Sequence, residues 1–545
     1  MTDVSLISQQ KPERGEDQTA EVFLSLGQQI LITVLAGGAV LYGILAGPVA
    51  LLRFFAAAIT LFYVVFVGFK LLVATAGAGY RFPRLTLAQD DKNLPTYSIL
   101  VPMRDETRDG FRRLLEWIDR IDYPKDLLQV LFVVDEDDQS TLNIVRGHTL
   151  PAGMELVVVP DVGPRTKPKA CNYAMTKVTG ERTLIWDFED RAEVLQLRKA
   201  VATLDFYMAR DKTVACVQGM LQFWNPRDGL PSVLYWAEYV VHFRWMLTGL
   251  ARLGLIPPLG GTSNHFLTSA LWEVDRQYGA TKYQFGSRII TVSNIWDSWN
   301  VTEDADLAAR LVRCGFTIKM VDTVTFEGAP DTLRKAKNQK SRWLKGFIMT
   351  FLVQSRRPIR SMREMGVGHY LAYNLFIGGT PLSFLINPIM WATTALYLAS
   401  RIFGWEGVTL FIEQLFPPYV YYPAMFVAVV GNFALLYQML LTPLRQQEHE
   451  SFQHVPVNAQ NQQFGLGWRL FVGVALWWIF TTIPAYKGAL ELLRTSTRYY
   501  WNKTPHDLSG RHEDHILDGG GRQALPAGAN STSSWSGTGE HRRVR

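Results

Sequence analysis

Two apolar stretches stand back to back near the start of the chain, each long enough to cross a bilayer. The first reads QILITVLAGGAVLYGILAGPVALL, Gln29 to Leu52; after Arg53 the second, FFAAAITLFYVVFVGFKLLVATAGAG, runs from Phe54 to Gly79. Roughly 20 apolar residues span the hydrocarbon core, and a chain inside it must satisfy its own backbone polar groups. A transmembrane helical hairpin over 29–79 follows. A cleaved leader is not expected, because the apolar core is too long and begins too late. Between residues 93 and 355 no comparable span occurs, and apolar segments then return at Leu371–Leu398, Tyr419–Leu441 and Leu466–Ile483. Pro381 and Pro388 fall inside the first of these and predict a broken or partly interfacial helix. With three returning segments, the number of crossings stays open.

The organisation expected is therefore a cytoplasmic segment 1–28, the hairpin 29–79, a cytoplasmic domain 93–355, interfacial and transmembrane helices 356–494, and a tail 495–545. The tail's Gly, Ser and charge content predicts disorder. Basic residues cluster at Arg334–Arg363, beside the first returning apolar segment, and place that side in the cytoplasm of a multi-pass inner (plasma) membrane protein. The net charge of +6 over 545 residues is too small a bias to imply nucleic acid. Cys171, Cys216 and Cys314 are few and odd in number, so no disulfide framework is expected.

In the middle region four apolar runs end in charge: YSILVPMRDE from Tyr97, LLQVLFVVDEDD from Leu127, MELVVVPDVG from Met154 and TLIWDFED from Thr183. Continuous runs of this kind, alternating with helical stretches, predict buried parallel strands. Ligands of such sheets bind beyond the carboxyl ends of the strands. The residues gathered there are Arg104, Asp105, Glu106, Asp135, Asp137, Asp187, Glu189 and Asp190. So many acids at one rim repel each other unless a cation bridges them, which calls for Mg²⁺ or Mn²⁺. DFED, Asp187–Asp190, is the sharpest candidate, although acids at a helix start read the same way.

Other motifs are weaker one by one. In RTKPKACNYA, Arg165, Lys167 and Lys169 suit a diphosphate and Asn172 a ribose or base; an exposed basic loop is the plainer reading. GGTSNHF offers small residues and the polar Thr262, Ser263, Asn264 and His265 beside a sugar, or simply a glycine-rich turn. In NVTEDADLAARL, Leu307 and Leu311 face a core, Thr302 suits the N-cap, and the first-turn acids offer a general base. NQKSRWLKG, Asn338–Gly346, reads alone as an interfacial anchor of Trp and cations.

Taken in order, VVDEDD, TKPKACNYA, DFED, GGTSNHF, TED and QKSRW (a Q-x-x-R-W pattern) resemble the membrane-embedded family 2 glycosyltransferases, such as the cellulose, hyaluronan and chitin synthases. The resemblance implies an α/β fold: a cytoplasmic glycosyltransferase A-type, Rossmann-like domain inserted between N-terminal and C-terminal transmembrane α-helices. It implies a donor-nucleotide site of Pro102, Arg104, Glu106, Asp135, Lys167, Asn172 and Asp187, with Asp135 on the uridine. Asp187 and Glu189 take the metal-binding D-x-D place; the second Asp is a Glu here, and the adjacent Asp190 is the alternative ligand. Asp304 is the implied base, and Glu303, Gly261, Thr262, Asn264, Gln339, Arg342 and Trp343 the acceptor and diphosphate site. Arg342 offers a planar cationic fork for phosphate and Trp343 a face for a sugar ring.

The implied reaction is inverting, processive transfer of glucose or N-acetylglucosamine from a UDP-sugar to a β-linked exopolysaccharide acceptor, which then crosses the lipid bilayer. The rivals are a non-processive transferase acting on a lipid-linked acceptor and a non-enzymatic export subunit. Separate export or regulatory subunits fit either enzyme. The segment Asp275–Asn294 is longer than the family usually carries there.

Overall fold

The computed structural model describes residues 18–499 apart from 84, 88–90, 227 and 427–462. The first apolar stretch is helix α1 (Leu26–Ala46) and the second α2 (Pro48–Ala78), joined by Gly47 alone. Gly47 has φ +90°, a value that would strain a residue with a Cβ. Pro48 opens α2, where its missing N–H breaks no helical bond. No residue of α1 is buried in the protein, so its apolar surface lies on the outside.

The middle region is an α/β domain, as the alternation of runs predicted. Its strands and helices begin β1 (Tyr97–Met103), α3 (Arg108–Arg120), β2 (Leu128–Asp135), α4 (Gln139–Arg146), β3 (Met154–Val159), α5 (Lys167–Ala174) and β4 (Arg182–Ile185). There follow β5 (Arg191–Ala192), α6 (Gln196–Met208), β6 (Val214–Phe223), α7 (Leu230–Tyr239), a π-helical stretch Val240–Leu247 and α8 (Thr248–Arg252). Then come β7 (Asn264–Leu267), α9 (Thr268–Tyr278), β8 (Thr281–Phe285), β9 (Arg288–Val292), α10 (Glu303–Arg313) and β10 (Thr317–Glu327). Eight strands form one sheet in the order β3-β2-β1-β4-β7-β6-β10-β5. β1 to β4 pair in parallel, whereas β7 runs antiparallel to both its neighbours and makes the sheet mixed. The long segment at 275–294 contains the end of α9 and the separate β8–β9 hairpin.

Both faces of the sheet are covered. Phe111, Trp117, Phe132 and Trp186 fill one layer. The other includes Leu131, Ile185, Phe266 and also Val73 and Ala74 from the end of α2, so the second apolar helix is part of the domain's core. Two glycines make this possible. A Cβ on Gly77 would lie 1.9 Å from the Trp245 carbonyl oxygen, and one on Gly249 1.9 Å from that of Val73. The backbones of α2 and of the stretch 245–249 touch directly.

After the sheet come α11 (Leu333–Gln354), α12 (Pro358–Met365), α13 (Val367–Ile377), α14 (Gly379–Phe403), α15 (Glu406–Leu415), α16 (Pro418–Phe426) and α17 (Gln463–Leu493). With α1 and α2, α14 is long and apolar enough to cross a membrane. The expected break in Leu371–Leu398 lies at Gly378, three residues before Pro381, which stands in the first turn of α14 and has no N–H to bond Ile377; α14 continues through Pro388. A Cβ on Gly378 would lie 2.4 Å from the Phe351 ring, so the break lets α11 pack against this corner. Of the expected segment Tyr419–Leu441 only the part to Phe426 is described, and most of the expected tail lies outside the described residues.

Candidate active site

The strand-end acids sort into two groups. At the ends of β1 and β2 the chain supplies its own cations: Arg104 pairs with Asp135 at 3.2 Å and Asp137 at 2.9 Å. Buried Lys169 reaches the other Asp135 oxygen at 3.2 Å, and Arg165 reaches Asp137 at 3.2 Å. For these acids a bridging metal is unnecessary, which corrects the expectation drawn from the whole rim.

The second group behaves differently. Asp187, Glu189, Glu303, Asp304 and Glu327 line one cavity of about 1100 Å³ with Lys167, Gly261, Thr262, Gln339, Arg342 and Trp343. Lys167, in the first turn of α5, pairs with Asp187 and donates to the Gly261 carbonyl at 2.8 Å. Burial alone would lower the Lys167 pKa; Asp187 and Glu303 outweigh it and hold the ammonium charged. A Cβ placed on Gly261 would lie 3.6 Å from both Asp304 Oδ2 and Lys167 Nζ, and 4.0 Å from Asp187 Oδ2. The tip of that turn therefore has the DFED and TED carboxylates on either side of it.

Burial pushes Asp304 up to about 6, against the Ala305 N–H it accepts at 2.8 Å and the charge of Lys167. Burial and then Asp304 push Glu303 up to about 7. Both carboxyls are raised above their unfolded values, so the stability they lend is complete below about pH 4 and is lost as pH rises through 6 to 7. Glu303→Gln is accordingly expected to raise stability at pH 8 by on the order of 2 kcal/mol and to change it little at pH 4. Thermal midpoints at the two pH values measure this, and an equal shift at both would refute it.

The two motif segments are bolted together by α10 and α11. Gln339, Trp343 and Gly346 follow helical spacing along α11, so they share a face. A Cβ on Gly346 would lie 2.4 Å from the Thr302 side chain. Thr302 occupies the N-cap position of α10 but makes no capping bond, contrary to expectation. Its hydroxyl is drawn instead toward Thr350, 3.3 Å away, while Asn300 bonds the same threonine at 2.8 Å. Behind the carboxylates, buried Asp306 pairs with Arg310 at 2.6 Å and accepts from Gln354 at 2.7 Å. Trp343 stands against Tyr239 and Tyr235, with ring centres 5.5 and 5.9 Å away.

Several residues named from the sequence do not face this cavity. Asn172 is fully buried: its amide donates to the Trp296 carbonyl at 2.7 Å, and its oxygen accepts from the N–H groups of Ile295 and Trp296. That amide holds the loop before TED and has no reach to a ribose. Asn172→Ala is expected to cost about 2 kcal/mol through the polar groups it orphans, read as a lower unfolding midpoint; an unchanged midpoint would contradict this. Asn264 is buried and braces the turn by donating to the Gly260 carbonyl at 2.7 Å. His265 is buried against the Tyr97 hydroxyl, 3.0 Å away, and burial pushes its pKa down to about 3. Asp190 is buried behind the DFED turn, accepting the Asp187 N–H at 3.2 Å. Pro102, Arg104, Glu106 and Asp135 sit outside the cavity wall, at the ends of β1 and β2.

Glu327 went unnoticed in the sequence. It closes β10 in the run TVTFE, the same signal of an apolar run ending in acid that marked the other strands. Burial, then Glu189 and Asp187, push it up to about 8. Lys70, Glu238 and Lys340 also line the cavity, and no local motif marks them.

Residues 95–346 match the family model described as "Glycosyltransferase like family 2". This region is a family 2-like glycosyltransferase domain. A relative named "Probable glycosyltransferase YdaM" from Bacillus subtilis (strain 168) is 24% identical over 307 residues, 54% of this chain and 67% of its own length. A "Probable glycosyltransferase" from Sulfolobus acidocaldarius is 23% identical over 261 residues, 47% of this chain and 50% of its own. Among solved structures the chain is similar to the mannosyltransferase PcManGT from Pyrobaculum calidifontis, solved with GDP-Man and Mn²⁺ (20% identity, TM-score 0.41, 67% of this chain and 97% of that one). It is also similar to S. aureus TarS 1–349 in complex with UDP-GlcNAc (14% identity, TM-score 0.31, 65% and 91%). The enzyme class is glycosyl transfer, and the glycosyltransferase domain holds both carboxylate motifs of the cavity.

Proposed function

We propose that the enzyme is an inverting, processive transferase that extends a β-linked polysaccharide from a UDP-sugar and passes the product between its membrane helices. One observation carries the reading: the cavity at Asp187 and Asp304 runs past Trp343 and on to Thr60 and Tyr63 of α2 and Asn387, Thr394 and Tyr397 of α14. Hydroxyls and an amide along membrane helices suit a sugar chain, and have no use facing lipid. Trp343 offers a stacking face for the acceptor, with Gln339 and Arg342 in the same wall.

The uridine end of the donor would lie at the ends of β1 and β2. There Asp135 keeps lone pairs beyond the one bond per oxygen it accepts from Arg104 and Lys169. The acceptor hydroxyl, held against Trp343, gives its proton to Asp304 while its oxygen bonds to the donor's anomeric carbon. The bond from that carbon to the diphosphate breaks, and the electron pair leaves on UDP. Arg342 and Lys167 meet the charge that develops there.

A divalent ion fits this donor set. Asp187 and Glu189 face the cavity, and their fields, with burial, raise Glu327 far above an ordinary carboxylate. Mg²⁺ or Mn²⁺ accepts one or two carboxylates and completes its shell with phosphate and water. When bound at Asp187 and Glu189 the ion would neutralise diphosphate charge. Asp187→Ala is expected to abolish Mn²⁺-dependent binding of UDP, read by calorimetry without turnover; undiminished binding would remove Asp187 from the metal site.

The test of the whole reading is a panel of radiolabelled UDP-sugars given to the purified full chain. A ladder of products supports processive synthesis, and linkage-specific hydrolases would name the bond. Single additions to a lipid-linked acceptor would favour the rival transferase, and no UDP release from any donor would leave only the export subunit.

A further inference from the structure

Past Trp343 the cavity wall carries a second polar cluster. Glu238 at the end of α7 accepts from Lys340 at 2.6 Å on one oxygen and again on the other, where the Trp477 indole N–H also donates at 3.0 Å. Lys340 thus answers the Glu238 charge. A second ammonium, Lys70 of α2, lines the same cavity. Among the described residues Lys70 makes no hydrogen bond or ion pair; its close contact is the face of Phe66, 4.5 Å from Nζ. His242 adds no charge, because burial pushes its pKa down to about 4. Two lysines against one glutamate leave an excess positive charge among Phe66, Tyr239 and Phe376. A lysine that only snorkels turns its head to bulk water at the membrane face. This one lines the cavity, where, among the described residues, its ammonium has no hydrogen bond or ion pair, and such burial is costly.

We propose that Lys70 is an anion subsite on the acceptor path, taking an oxyanion, carboxylate or phosphate, that the acceptor carries beyond Trp343. The inference rests on the acceptor-path reading above and narrows it: a neutral glycan has no need of this charge. A compact ammonium with three donors holds one oxyanion, and the aromatic rings around it hold the sugar or lipid that bears it.

The test uses tryptophan fluorescence of the full chain in nanodiscs, with Trp343 and Trp477 as reporters. The probes are a hyaluronan octasaccharide, a chitin octasaccharide of equal length, and undecaprenyl phosphate. The charged glycan is expected to bind about tenfold more tightly than the neutral one, the worth of one charge-assisted hydrogen bond. Lys70→Gln, which removes the ring contact with Phe66 but no hydrogen bond or ion pair among the described residues, should erase that difference and leave the chitin Kd unchanged. A Lys70-dependent gain with undecaprenyl phosphate alone identifies the anion as a lipid phosphate; the subsite stands while the polysaccharide-path reading falls. Equal binding of charged and neutral probes, or a preference that survives in Lys70→Gln, overturns the subsite. In that case chitin binding together with ladder products would still leave the polysaccharide path standing.

Discussion

Asp304→Asn is expected to lower turnover by roughly 10²- to 10⁴-fold while UDP-sugar affinity stays within about twofold. The amide keeps the shape of the side chain and its contact with the Ala305 N–H, and loses only the capacity to take a proton. In the unaltered enzyme the same group sets the acid limb of the pH profile. With its pKa pushed up to about 6, mainly by burial, the carboxylate is the working form, so kcat should fall about tenfold per pH unit below that value. An ordinary aspartate would hold its activity to about pH 4. Single-turnover rates from pH 5 to 8, with equilibrium UDP-sugar binding in parallel, check both statements. Normal turnover in Asp304→Asn, or an acid limb near pH 4, would remove Asp304 from the chemistry.

The second large effect concerns the joint between α2 and the α/β domain. Gly249→Val should prevent the domain from seating on α2, because the new side chain would begin 1.9 Å from the Val73 carbonyl oxygen. Backbone cannot rotate away as a side chain can, so the expected cost is about 3 kcal/mol or more. Gly77→Val should behave alike from the other side, and the pair together should cost less than the sum, since one separation relieves both clashes. Gly68→Ala on the same α2 is the control: nothing lies within 4 Å of its Cβ position, and the change should be neutral or slightly stabilising. Thermal midpoints in detergent and protease sensitivity between α2 and β1 measure this. A wild-type midpoint for Gly249→Val would show that the helices do not touch there.

Both effects depend on contacts between residues far apart in sequence, and that separation explains how much could be read beforehand. The apolar runs of β1 to β4 were legible because two-sided burial leaves a local imprint in composition. The antiparallel insertion of β7 was not, since its four residues, NHFL, carry no directional signal. Glu327 was missed although it ends a strand as Asp135 does. An amide beside lysines looks the same in sequence whether it meets a nucleotide or a buried loop; the fold gives the Asn172 oxygen the N–H groups of Ile295 and Trp296.

What the sequence determined by itself was whatever depends on near neighbours along the chain: the apolar helical hairpin, the parallel half of the sheet, and the acids placed at strand and helix ends. The tertiary structure alone decided which charges answer each other. Arg104 and Lys169 neutralise Asp135, while Asp187, Asp304 and Trp343 border a shared cavity, and Lys70 in its wall makes no ion pair among the described residues. The physical reason is that Coulomb energy and desolvation depend on distance through space and on burial, which chain spacing does not encode once the separation exceeds a few helical turns.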